Sequence, residues 1–293
     1  MNKYFTSFMG AVIAFGLSIT VQAQSITKTI EGFAHPESVV ESGNYLYVGN
    51  VGNELQPSAK DGDGFISKVN VSTGKVEQLH FLPNGDATLN APKGLTIADN
   101  TLYLADINRV MGFDLDSGKM VFELNIPEAS FLNDVVAGDS QTLYVSGTSL
   151  GKIARINIPK QSYEFLDIPM IKGANGLDLS TDKTTLYCVG FGADNQPNGR
   201  ITEIELDPLK AKTIGNYQGL LDGAQLYNGK LYFSDWKSEN KGIINILDLQ
   251  SNHVSMLDLS QTIGGPADFY LDQNSSILYV PSMLESKIYV IKL

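Results

Sequence analysis

The chain has 293 residues, with 21 basic against 32 acidic side chains and a formal net charge of −11. An acidic surface of this kind disfavours nucleic acid and anionic lipid as partners, because both present phosphates that it would repel. Cys188 is the single cysteine, so the fold cannot rely on an internal disulfide, and its strand-like setting Leu186-Tyr187-Cys188-Val189 marks it as a small buried apolar residue.

Residues 1–23 open with Lys3, continue through an apolar stretch from Phe8 to Val21, and end on Val21-Gln22-Ala23. This is the pattern of a secretory signal with an Ala-x-Ala-like cleavage site, and the apolar run is too short for a membrane span. The mature chain is expected to begin at Gln24 and to be periplasmic or secreted. Taking Lys3 from the 21 basic residues leaves 20 against 32 acidic ones, a net charge of −12. No Pro/Ser-rich linker or low-complexity tract follows, so 24–293 is expected to be one domain.

Ser25-Ile26-Thr27-Lys28-Thr29-Ile30 alternates like a strand yet belongs to no repeat. Beyond it a Leu-Tyr pair recurs six times inside short apolar strands: Leu46-Tyr47, Leu102-Tyr103, Leu143-Tyr144, Leu186-Tyr187, Leu231-Tyr232 and Leu278-Tyr279. Successive Leu residues are 56, 41, 43, 45 and 47 positions apart. A period of this size built from strands predicts an all-β, six-bladed β-propeller with four antiparallel strands per blade. In the fifth repeat, Asn228-Gly229 separates two apolar runs, the strongest short hairpin signal, because both central residues of a type I′ turn need positive φ. Ser42-Gly43-Asn44 and Asp99-Asn100 play that part in the first two repeats. The last repeat is one strand short, and the segment from Ser25 to Ile30 is predicted to complete it as its outermost strand, closing the ring and hiding an edge.

Each Leu-Tyr strand is preceded by another that opens on a corresponding position. Down the second residue of these openings stand Glu37, Lys93, Asn133, Asn175, Asp222 and Ala267. A hairpin returns the chain to its start, so Asn50, Asp106, Ser146 and Asp235, near the ends of second strands, are expected to rim the same face. The loops over 51–64 and 190–199 cross it as well. Carboxylates with carboxamide oxygens, and neither Cys nor His among them, describe a hard-cation site. The bland alternative is that polar residues at strand starts satisfy backbone groups or line a wet channel.

The set of Glu37, Asn175-Gly176 and Asp222-Gly223, one per blade, resembles the regucalcin/gluconolactonase family of six-bladed propellers. More distantly it is similar to the paraoxonases, whose Asn-Asp pair is matched by Asn133-Asp134. The resemblance implies one divalent cation, Ca²⁺ first with Mg²⁺, Mn²⁺ or Zn²⁺ as alternatives, held by Glu37, Asn175, Asp222 and Asn133. It implies hydrolysis of a small lactone or ester, with Asp222 as base toward water and Asn133 orienting the substrate. Lys93, Asp134, Asp235 and Trp236 are expected to bind substrate. The family's Arg two residues before the third-blade Asn is replaced by Phe131, which points away from sugar-acid lactones and toward a less polar substrate.

Asp61-Gly62-Asp63-Gly64 lacks the full spacing of a calcium loop and reads as a turn. His35 precedes Glu37 by two residues and is a weaker acid–base candidate. The sequence thus predicts an exported, monomeric, cation-dependent lactonase or esterase. The rival reading is a non-catalytic propeller that binds a protein or small ligand, since fold alone does not specify function.

Overall fold

The computed structural model describes residues 24–237 and 241–293; the export signal expected over 1–23 lies outside the described residues. Six four-stranded antiparallel sheets follow one another along the chain, the arrangement of a six-bladed β-propeller. The segment Ser25–Glu31 pairs antiparallel with Lys287–Lys292 on the outside of the sixth sheet, so the ring closes as the alternating N-terminal pattern predicts. Among the described residues no helix is long and apolar enough to cross a membrane.

The Leu-Tyr pairs lie in the second strand of each blade, where successive side chains point to opposite faces of the sheet. Each pair therefore serves two seams. Leu102 packs in one cluster with Tyr47 of the preceding blade, Leu143 with Tyr103, and Leu186 with Tyr144. Leu231 packs with Tyr187 and Leu278 with Tyr232. The circle ends where it began, with Leu46 of the first blade against Tyr279 of the last. The hydrophobic core is thus six interblade seams, with a smaller seventh cluster of Val51, Ala91, Ile107, Ala267 and Met283.

The hairpin turns behave as their residues require. Asn228 and Gly229 have φ of 50° and 72°, and Asp99 and Asn100 have 45° and 61°, the double positive φ of a type I′ turn. In the first blade Ser42 pairs with Tyr45 around Gly43 (φ 59°), where glycine takes the positive φ without steric cost.

The innermost strands carry a shared irregularity at the chemistry-bearing position. In each of blades one to five the pairing register shifts at the strand opening, between Pro36 and Ser38, Pro92 and Leu95, Leu132 and Val135, Ala174 and Leu177, and Leu221 and Ala224. Glu37, Lys93, Asn133, Asn175 and Asp222 all fall within these shifts. Such an irregularity re-aims a side chain that regular pairing would hold against a neighbouring sheet. In blade six, regular innermost pairing covers only Tyr270–Asp272, with a separate bridge from Pro266 to Ser282, and Ala267 stands at the equivalent point.

Because each Leu fills one seam against one Tyr, Leu231→Ala should lower unfolding stability by about 2–5 kcal/mol, the usual cost of emptying a closed core site. Denaturant unfolding of the purified protein reads this directly. A loss below about 1 kcal/mol would show that the blade four–five seam does not depend on the pair.

Candidate functional site

Glu37, Lys93, Asn133, Asn175 and Asp222 are between 1% and 4% exposed, and all five line one cavity of about 640 Å³ at the channel end of the innermost strands. The cavity wall is completed by Leu55, Pro57, Phe131, Phe191, Trp236 and Met283, so a small polar floor sits beneath a largely apolar enclosure. That combination is the common form of a small-molecule site.

The four predicted ligands share an unusual property. Glu37 Oε2, Asn133 Oδ1, Asn175 Oδ1 and Asp222 Oδ1 are each buried without a hydrogen-bond partner. A buried polar atom without a partner costs roughly 1–3 kcal/mol, and buried side-chain oxygens in proteins are mostly paired. Four such oxygens from four blades argue against one half of the bland alternative, in which polar strand starts satisfy the backbone, and leave the other, a wet channel, open. Asp268 Oδ1 and Glu41 Oε2 are also unpartnered, but neither residue lines this cavity.

Close packing of the innermost strands brings these residues together. A Cβ on Gly176 would stand 2.1 Å from the backbone oxygen of Asp222, and one on Gly223 would meet Ala267 O at 2.7 Å. Gly94, after Lys93, would carry its Cβ 2.2 Å from Asp134 Oδ1. The residue after the site position is glycine in three blades because the neighbouring strand leaves no room for a side chain.

The carboxyl groups feel both burial and one another. Glu37 is held well above the usual carboxylate range, first by burial and then by Asp222, with Lys93 opposing. Burial pushes Asp222 up to about 7, against the indole hydrogen bond of Trp236 and the charge of Lys93. Lys93 is lowered to about 8 by burial, opposed by Glu37, Asp106 and Asp222. Its ammonium donates to Pro57 O at 2.7 Å and Ala91 O at 3.0 Å, and it lies 4.4 Å from the Phe131 ring centroid. Lys93 therefore faces the site rather than solvent, and it ties the 51–64 loop over the cavity.

Trp236 lines the cavity, and its indole N–H donates to Asp222 Oδ2 at 2.7 Å. That bond fixes the carboxylate and leaves Oδ1 free. The ring in turn meets Phe191 edge to face, at 5.8 Å and 79°.

Two expected substrate-binding residues are placed elsewhere. Asp134 is outside the cavity lining: its Oδ1 accepts from Val135 N at 2.7 Å and its Oδ2 from Leu177 N at 2.6 Å. The carboxylate crosslinks blades three and four. Asp235 is fully buried and accepts from Leu220 N at 3.2 Å, Lys237 N at 2.9 Å and Tyr217 Oη at 2.8 Å. Asn50 and Asp106 act alike, accepting from Ala34 N and from Asn90 and Ala91 N, while Ser146 Oγ accepts from Asp134 N. The predicted rim residues thus pin the backbone at the entry of the innermost strands; they are buried and do not face the cavity. His35 also lies outside the lining, with Nδ1 2.9 Å from Met283 O.

The wall residues that sequence reasoning did not single out have a common origin. Leu55, Pro57, Ser58, Thr148, Ser149, Phe191, Asn195 and Met283 all follow a second strand, in the connection to the third. Applying the Trp236 position to every blade would have found Thr148, Phe191 and Met283, while Leu55, Pro57, Ser58 and Asn195 lie within the loops over 51–64 and 190–199.

A divalent cation, implied by the family resemblance, is consistent with these residues. The unpartnered atoms are hard oxygen donors, and two carboxylates offset a charge of +2. Among the described residues no three His, Cys, Asp or Glu side chains form a metal-ligating group; the four donors here are two carboxylates and two carboxamides.

No family model and no curated protein matches the sequence. Solved structures do. The chain is similar to one described as streptogramin B lyase, at 15% identity and a TM-score of 0.62, covering 91% of this chain and 97% of that one. It is similar to an auxiliary nutrient binding protein from Bacteroides thetaiotaomicron, at 13% identity and a TM-score of 0.66, covering 89% and 69%. A third similarity is to hydrazine synthase of Kuenenia stuttgartiensis, at 16% identity and a TM-score of 0.59, covering 92% and 77%. At these identities the likeness concerns the propeller fold.

Gly176→Ala should separate the strands that carry Asn175 and Asp222 and weaken divalent-cation binding at least about tenfold, while the protein stays folded. Calorimetric titration with Ca²⁺, beside a circular-dichroism spectrum, checks it. Unchanged affinity would mean that the close approach does not set the donor geometry.

Proposed function

We propose that this chain is a divalent-cation-dependent hydrolase of small lactones or esters, acting outside the cytoplasm. The observation that carries the proposal is the set of four unpartnered buried oxygens, on Glu37, Asn133, Asn175 and Asp222, at one end of the channel. A bound divalent ion would polarise the substrate carbonyl and lower the pKa of water. Glu37, Asn175 and Asp222, with Asn133, are the residues that would hold it.

The remaining chemistry belongs to side chains whose positions are defined. Asp222, steadied through Oδ2 by Trp236, presents Oδ1 to the cavity, where it can take a proton from the attacking water. The Asn133 carboxamide orients the substrate from blade three. Lys93 contributes a fixed positive charge where a carbonyl oxygen becomes negative as water adds. The apolar wall of Leu55, Phe131, Phe191 and Met283 excludes bulk water and suits an aliphatic or aromatic substrate body better than a polyhydroxylated one.

The rival is a non-catalytic ligand binder, a role in keeping with the nutrient-binding description of one structural neighbour. Both readings use the same cavity, and turnover separates them. Metal content by mass spectrometry, with hydrolysis of a lactone and aryl-ester panel before and after chelation, is the deciding measurement. The expected result is one divalent ion per chain and activity lost to chelator, restored by Ca²⁺. Asp222→Ala should abolish turnover, and Trp236→Ala should change the substrate range. Purified protein with no stoichiometric ion would end the hydrolase reading.

Cation affinity should also depend on pH with a definite sign. Without the ion, Asp222 holds its proton up to about pH 7 and Glu37 is raised as well. Binding requires the ionised forms, so protons leave as the ion enters. Affinity should therefore fall as pH drops below about 7, by roughly tenfold per unit for each proton displaced. Titrations from pH 8 to 5.5 in buffers of differing ionisation enthalpy read both effects, and a flat profile would show that these carboxyls are not the ligands.

A further inference from the structure

Only three of the residues lining the cavity are charged: Glu37, Asp222 and Lys93. Asp106, the remaining acidic group that acts on Lys93, is outside the lining and paired with Arg109 at 2.8 Å. With a divalent ion held by the two carboxylates, the charge of Lys93 is left over among the lining residues; the buried Asp134 and Asp268 act on Glu37 and Asp222 from outside the lining, and neither is among the groups acting on Lys93. Lys93 has no ion-pair partner among the described residues. A buried charge is stable only where something compensates it.

The surroundings of Lys93 supply part of that compensation. An ammonium group has three protons, and two go to the Pro57 and Ala91 carbonyls. The rest of the group is shared by the face of Phe131, 4.4 Å away, and the open cavity. Backbone dipoles and a ring quadrupole hold the cation in place but do not neutralise it. A ligand carrying one negative charge would.

From this we infer that the cavity takes amphipathic monocarboxylates: one carboxylate at the polar floor, and an apolar body against Phe131, Phe191 and Trp236. Lys93 is the residue that selects the charge. The inference rests on the hydrolase reading and sharpens it, because water opening a lactone gives a hydroxy acid with one carboxylate where the substrate had none. The product, or a substrate already bearing a carboxylate, then matches the loaded site better than a neutral ester. Phe131 and the apolar wall distinguish such ligands from sugar acids of equal charge.

The test compares three probes on the calcium-loaded protein by calorimetry: 4-phenylbutyrate, the neutral 4-phenylbutan-1-ol, and gluconate. Phenylbutyrate should bind at least about tenfold tighter than either of the others, the scale of one charge-assisted contact. Lys93→Gln, which keeps a donor but loses the charge, should bring the carboxylate-to-alcohol ratio close to one without changing ion content. Equal wild-type affinities for phenylbutyrate and the alcohol would overturn the inference, and that comparison needs no variant. So would tighter binding of gluconate, or a preference that survives in Lys93→Gln. Ion content of the same samples keeps the failures apart. Protein without a stoichiometric ion overturns the hydrolase reading and this inference together, whereas a loaded protein with no preference overturns only this one.

Discussion

The structure depends on a simple stereochemical fact: neighbouring residues on a strand face opposite ways. One Leu-Tyr dipeptide per blade therefore reaches two seams, and six of them close a circle in which Leu46 meets Tyr279. Each blade is a twisted sheet with two apolar faces that it cannot bury alone, and each seam hides one face from either neighbour. The outer strand Ser25–Glu31, paired to Lys287–Lys292, completes the sixth sheet by joining the two ends of the described chain.

The site is built where this regularity is broken. Register shifts at the innermost strand openings turn five equivalent side chains out of the ladder. The glycines that follow three of them let adjacent strands approach until a Cβ would collide with backbone or a carboxylate. The lining of one cavity by these side chains and the close strand packing thus have one origin. Behind them Asn50, Asp106 and Asp235 bind the amides just upstream of the same strands, so the polar floor stands on a second tier of buried acceptors. Positional precision of this kind comes from strands rather than loops.

The repeat and its chemistry were legible in the sequence because both follow period. Leu and Tyr recur in phase, and so do Glu37, Lys93, Asn133, Asn175 and Asp222, which the structure gathers around one cavity. The misplacements have a shared cause. Asp134 and Asp235 stand beside Asn133 and Trp236, which line the cavity, but adjacent side chains point apart, and their carboxylates meet backbone amides instead. Side-chain direction at an irregular strand opening is a three-dimensional property that spacing does not carry. The wall was less visible for a different reason: Phe191 and Met283 share a column with Trp236 in which residue type varies, and Leu55 comes from a long loop that no other blade matches.

The polar floor is also where this chain departs from the consistency that stabilises the rest of it. Two buried carboxyls whose charges oppose each other, a buried lysine and four unpartnered oxygens all work against folding. Natural sequences tend to keep such local conflict only where function uses it. The seams are what tolerate it: their apolar burial is spread around the whole ring, while the conflict is confined to one end of the channel. A hard cation would remove much of the conflict at once, giving the orphaned oxygens a partner and the carboxylates a counter-charge. What it would not settle is Lys93, and a cation added beside a lysine increases the need for a negative charge in the cavity. With an ion bound, the electrostatics of the floor would point beyond it to an anionic ligand, through Lys93.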